Sequence, residues 1–250
     1  MFDLIAMGAI AGVIPVFLGI GLALAIARVL PRTWEGFFIG LANGVLVYLF
    51  FDLMHESVEL TGARDIGSWG VFLGSLLISF VGLVALEQHQ QSQRRSAEAL
   101  FSLPYMIALG MGLHNLGEGL SIGASYAKGE WVLSGLLIVG FALHNGTEGF
   151  GIVSAAGKSP LTWKDAVYLG LIAGVPTCVG TLISGQEISP YFSIACYTLA
   201  AGSLLYVILA LTGVGYTATR RVQAAVGIFV GISLMYITSM LLTLMSGVKS

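Results

Sequence analysis

Two six-residue words, thirty positions apart, each combine an imidazole, an amide and a carboxylate: His114-Asn115-Leu116-Gly117-Glu118-Gly119 and His144-Asn145-Gly146-Thr147-Glu148-Gly149. Residues i and i+4 share one face of a helix, so each word points its histidine and its glutamate the same way. Nitrogen and oxygen donors of this kind suit a divalent transition metal. Both words stand inside long apolar runs. An ionisable group at membrane depth costs roughly 2.5–3.5 kcal/mol on insertion scales, so it is seldom there without a task. Two carboxylates and two neutral imidazoles balance the charge of one 2+ ion. Without a cation the glutamates repel each other. The competing reading of one such word is polar glue between helices, since His and Asn hydrogen-bond across membrane interfaces. Duplication favours the metal.

The elements that must carry these words are membrane helices. The chain has 250 residues, of which 56% are hydrophobic and 10% charged, and its mean hydropathy is +0.90. Soluble domains carry about 25% charged residues. The expectation is an all-α polytopic membrane protein, one transmembrane domain over 1–250, with eight helices near 4–29, 36–58, 69–87, 101–126, 131–156, 164–184, 192–213 and 222–246. Met1-Phe2-Asp3 has no basic leader region, and the first span reads as a retained helix. The net charge of -2 argues against a nucleic-acid partner, and Cys178 and Cys196 show no disulfide or metal spacing. The expected partners are the metal ion and the lipid bilayer, with room for a homodimer.

Arg28, Arg32, Arg94, Arg95, Lys158, Lys164, Arg220 and Arg221 fall on one side of this topology; Arg64, Lys128 and Lys249 fall on the other. The positive-inside rule puts the first group in the cytoplasm and both termini outside the inner or plasma membrane. Spans 4 and 5 are then antiparallel neighbours, joined by Lys128-Gly129-Glu130, with their motifs facing near mid-membrane. The polar stretch Gln88 to Glu98 is the longest expected cytoplasmic loop, and His89 within it is expected to be solvated.

A second group, Asp52, His55 and Glu56 with Glu59, stands at the outer end of span 2. It reads either as an ion entrance that concentrates cations or as a solvated helix end. Pro15, Pro104 and Pro176 lie within or at the start of apolar runs. Interrupted helices surround mid-membrane sites in transporters, though Pro is common in ordinary membrane helices too.

With these residues the chain resembles the ZIP (Zrt/Irt-like) family of divalent metal transporters. The resemblance rests on His114-Asn115-x-x-Glu118-Gly119 and His144-Asn145-x-x-Glu148-Gly149, on the eight-span plan and on the acidic segment ending at Glu56. It implies that His114, Glu118, His144 and Glu148 are the main metal ligands and that Asn115 and Asn145 serve an adjacent position. It also implies that spans 4 and 5 are central, and that spans 1–3 and 6–8 form an inverted pair around them. The implied activity is movement of zinc, iron, manganese or cadmium into the cytosol without ATP. The metal is then substrate, zinc above all, and no cofactor is expected. The sequence departs from the family pattern in having Gly117 and Thr147 where proline usually precedes each glutamate, and Val175-Pro176 where Glu-Pro is usual. Tyr206 also lacks the acidic residue that often follows a turn later. One metal position, not two, is the expectation, and Val175→Glu is expected to restore the second. The chain is expected not to be an enzyme. The alternatives are an intramembrane zinc-dependent hydrolase, in which the metal activates water, and a metal-binding relative that does not transport. No HExxH motif supports the first.

Overall fold

The computed structural model describes residues 2–29, 31, 34–62, 65–93, 103–156, 161–184, 189–216 and 221–246. Those residues fold into eight long helices with no strand among them: α1 (Phe2–Val29), α2 (Glu35–Leu60), α3 (Ile66–Gln93), α4 (Leu103–Ala127), α5 (Trp131–Ser154), α6 (Trp163–Ser184), α7 (Pro190–Gly215) and α8 (Arg221–Ser246). Each expected span matches one helix. Most ends agree within a few residues. The exception is α3, which runs on through Gln88–Gln93, where a loop was expected. Glutamine and glutamate are good helix formers, and a helix leaving the bilayer need not stop where its apolar run stops. His89 is exposed there, as expected. Arg94 to Glu98 lie outside the described residues, as do Arg32, Arg64, Lys158, Arg220 and Lys249, which carry most of the charge asymmetry.

Seven of the eight helices are long and apolar enough to cross a membrane by length and composition. The remaining one is α4, which carries the first motif. Its position explains its composition. No residue from Leu103 to Tyr126 is exposed, so α4 meets protein on all sides and needs no lipid-compatible surface. By contrast α3 and α8 are mostly exposed along their length and lie at the periphery. The chain is an all-helical polytopic membrane protein.

The main packing pairs have a two-fold logic. Helix α4 packs on α6, and α5 packs on α1. Helix α2 packs on α8, and α7 packs on α3. Helix α4 also meets α7, while α5 meets α2. Exchanging α1 with α6, α2 with α7, α3 with α8 and α4 with α5 turns each of these pairs into its counterpart. This is the relation expected between spans 1–3 and 6–8, with α4 and α5 at its centre.

Small residues set the close approaches, since lipid offers little hydrophobic drive for helices to associate. Gly119 and Gly149, each just after a motif glutamate, do this for the central bundle. A Cβ on Gly119 would lie 2.1 Å from the carbonyl oxygen of Thr177 on α6. A Cβ on Gly149 would lie 2.2 Å from the backbone nitrogen of Ile20 on α1. The glycine that closes each motif is therefore the contact that seats its helix on the equivalent neighbour. The α4–α5 connection turns at Gly129, whose φ of +76° is left-handed, and Glu130 N–H caps the carbonyl of Ser125.

Candidate metal centre

Both motifs arrive in one buried cluster. His114, Asn115, Glu118, His144, Asn145 and Glu148 are each at most 3% exposed, and Glu118 and Glu148 are the only fully buried acids among the described residues. Nε2 of His114 lies 3.0 Å from Oε1 of Glu118 on the same helix and 4.0 Å from Oε1 of Glu148 on α5. Nε2 of His144 contacts the same Oε1 of Glu118. The two imidazole rings are 6.2 Å apart, centre to centre. Donor atoms of His114, Glu118 and His144 all fall within 4.8 Å of one another. Two ligands about 2.0–2.1 Å from a tetrahedral zinc ion are separated by roughly 3.3 Å, and the 3.0 and 4.0 Å contacts bracket that spacing.

The asparagines hold the other edge of each carboxylate, and they do so crosswise. Asn145 Nδ2 on α5 donates to Oε2 of Glu118 on α4 at 2.8 Å and to the carbonyl of Ala11 on α1 at 2.9 Å. Asn115 Nδ2 on α4 donates to Oε2 of Glu148 on α5 at 2.9 Å and to the carbonyl of Ala173 on α6 at 3.0 Å. The exchange that relates the helices relates these four hydrogen bonds as well.

Breaks in α1 and α6 sit beside the accepting carbonyls. Helix α1 passes through a π-helical turn at Ala9–Val13, a distortion frequent at functional sites. Pro15 has no N–H to give the carbonyl of Ala11, four residues back, and Asn145 supplies a donor instead. Pro176 stands inside α6, three residues after Ala173, whose carbonyl takes Asn115. The prolines were legible in the sequence as breaks; that they stand beside backbone acceptors for the motif asparagines was not. Pro104 is no break, since it lies in the first turn of α4, where proline is tolerated.

Several buried atoms in the cluster have no hydrogen-bond partner: Nδ1 of His114, Nδ1 of His144, Oε1 of Glu148 and Oδ1 of both asparagines. Buried polar atoms are nearly always paired. Such a concentration of unpaired donors and acceptors fits a site built for an ion.

Asp52, His55 and Glu56 are not part of this cluster. All three are exposed on α2. Asp52 and His55 line a cavity of about 350 Å³ with Val47, Tyr48, Phe51 and Ile232, and His55 Nε2 lies 3.2 Å from Oε1 of Glu59.

Val175 corrects an expectation. It is 38% exposed, on the face of α6 away from Ala173 and Thr177, which are buried. A glutamate there would not join the cluster. Tyr206, the other departure, donates through its hydroxyl to Oε2 of Glu87 on α3 at 3.1 Å.

No family model matches the chain. Over 192 residues it is 26% identical to a protein of Arabidopsis thaliana whose name marks it as a candidate zinc transporter, covering 72% of this chain and 30% of that protein. It is 30% identical to the Drosophila melanogaster zinc transporter foi over 120 residues, 45% of this chain and 16% of foi. It is 32% identical to the human zinc transporter ZIP6 over 130 residues, 48% of this chain and 17% of ZIP6. The chain spans less than a third of the length of these curated relatives. Over these stretches the chain, whose central helices bring the paired His-Asn-x-x-Glu-Gly words together, is similar to zinc transporters, ZIP6 among them.

Proposed function

We propose that this protein carries divalent transition-metal ions, zinc foremost, across a membrane toward the cytosol. The observation that supports the reading best is the buried His114, Glu118, His144 and Glu148 constellation between two central helices. It matches one 2+ ion in charge, and donor atoms of three of its members, His114, Glu118 and His144, lie within 4.8 Å of one another. Zinc is named in the relatives reported above, and iron, manganese and cadmium suit the same donors. Asp52, His55 and Glu56 serve as the outer entrance, where negative charge raises the local cation concentration. The Lys and Arg distribution supports termini outside and an exit in the cytosol.

The test is zinc uptake into proteoliposomes with an encapsulated zinc-sensitive dye. Wild-type protein is expected to admit zinc down its gradient without ATP, and Glu118→Gln to abolish uptake. Zinc binding with no uptake in either orientation would instead favour a metal-binding relative that does not transport. Metal-dependent cleavage of a membrane substrate without flux would favour the hydrolase.

A further inference from the structure

The crossed amides carry a consequence for metal selectivity. Each motif carboxylate is divided in two. Oε1 of Glu118 and Oε1 of Glu148 face the histidines, while Oε2 of each is held by an asparagine of the opposite helix. The identity of the donating atom is settled by chemistry. The same atom also meets a backbone carbonyl, which accepts only, so it must be the amide NH₂ and not the amide oxygen. Each asparagine is anchored in turn by a carbonyl, Ala11 on α1 or Ala173 on α6.

We infer that Asn115 and Asn145 are positioning residues that keep Glu148 and Glu118 monodentate, and that they thereby limit the site to four ligand atoms and select zinc over larger ions. With both Oε2 atoms engaged, the ion meets two nitrogens and two oxygens. That count suits zinc, which is four-coordinate in most protein sites. Manganese prefers six oxygen-rich ligands. Freeing either Oε2 lets its carboxylate turn bidentate and raises the number of ligand atoms on offer. The inference rests on the transport reading only in taking the buried cluster as the place where zinc binds.

The opposite assignment makes the asparagines ligands through Oδ1, and those oxygens are indeed buried and unpaired. Substitution by aspartate separates the two. An Oδ1 ligand would be improved by a full negative charge, and zinc would bind more tightly or in a second copy. A positioning donor would be destroyed, because Asn145→Asp sets oxygen against Glu118 Oε2 and the Ala11 carbonyl.

The experiment uses the full chain purified in detergent, loaded with zinc alone, and read by X-ray absorption at the zinc edge together with competition between zinc and manganese. Wild type should hold one zinc with four N/O ligands. Asn145→Asp should weaken zinc by roughly tenfold to a hundredfold, the range for outer partners of metal ligands. Asn145→Ala should raise the coordination number above four and shift the manganese-to-zinc affinity ratio by roughly tenfold toward manganese. The equivalent Asn115→Ala and Asn115→Asp should behave alike, and they serve if the Asn145 variants do not fold. If neither pair folds, the wild-type spectrum decides: a bidentate carboxylate or more than four ligands overturns the inference, and four supports it. An unchanged ratio in folded Ala variants, or tighter or double zinc binding in folded Asp variants, overturns it while leaving the transport reading intact. Wild type that binds no zinc sinks both.

Discussion

Glu118 on α4 is shared between the two motifs: its Oε1 faces His114 of its own helix at 3.0 Å, and its Oε2 accepts from Asn145 of α5 at 2.8 Å. Glu148 makes the corresponding bond to Asn115, but its Oε1 is 4.0 Å from His114 and unpaired. The two glutamates are thus equivalent in role and unequal in how tightly the histidines hold them.

Removing charge from this pair should matter more than any other single change. Glu118→Gln keeps the shape and deletes a charge that offsets the ion's desolvation. Zinc affinity measured by calorimetry is expected to fall by more than about a hundredfold, beyond the usual loss for an outer partner of a ligand. His89→Ala, at an exposed position of α3, should leave it unchanged. Equal effects of the two substitutions would remove the paired motifs from the site.

Protons should compete with the metal. Coordination needs unprotonated imidazoles and carboxylates, so loading the site releases protons. Zinc added to protein in weak buffer at about pH 7 should acidify the solution, and affinity should fall as the pH is lowered to about 5, across the range where histidine changes charge. A flat affinity over that interval would contradict the ligand set.

Gly119 and Gly149, which close the two motifs, should be intolerant of any side chain. Gly119→Ala drives a Cβ to 2.1 Å from the Thr177 carbonyl oxygen, a backbone atom that cannot swing away. A loss of about 1–3 kcal/mol is expected from such overpacking, read as a lower melting temperature in detergent. Gly213→Ala, with nothing within 4 Å of the added carbon, is the control and should melt like wild type.

Val175→Glu should not create a second metal position. The side chain at 175 is on the exposed face of α6, where a carboxylate meets lipid and not the cluster. Zinc stoichiometry should stay at one per chain by equilibrium dialysis. A second zinc in that variant would show that α6 can rotate its outer face inward.

Asp52→Asn should alter access and spare the buried site. Asp52 is exposed on α2, beside the cavity it lines with His55, and is outside the buried His114, Glu118 and His144 group. Uptake at low zinc should slow, the defect should shrink in high salt as screening removes the advantage, and equilibrium affinity should stay within about threefold of wild type, because exposed charges add little. A loss of affinity as large as that of Glu118→Gln would make Asp52 a ligand.

The sequence by itself determined the eight helices, the two motifs and the pairing of each histidine with a glutamate one turn on, because hydrophobic runs and i, i+4 spacing are local properties. It also singled out Glu118 and Glu148, since an acid in an apolar run is costly anywhere. Three things needed the tertiary structure. The enclosure of α4 was one: its glycines and polar residues make it the least membrane-like helix by composition, and only neighbours on every side explain that. The direction of the Val175 side chain was another, because a rotation of α6 about its axis leaves no trace in spacing. The last was the crossing of Asn115 to Glu148 and Asn145 to Glu118, each anchored on a carbonyl beside Pro176 or Pro15. Those bonds join residues far apart in the chain, and the helix packing that aligns them is set by glycine contacts between α4 and α6 and between α5 and α1. Spacing within one helix fixes which donors share a face; only packing between helices fixes which oxygen of each carboxylate faces the histidines.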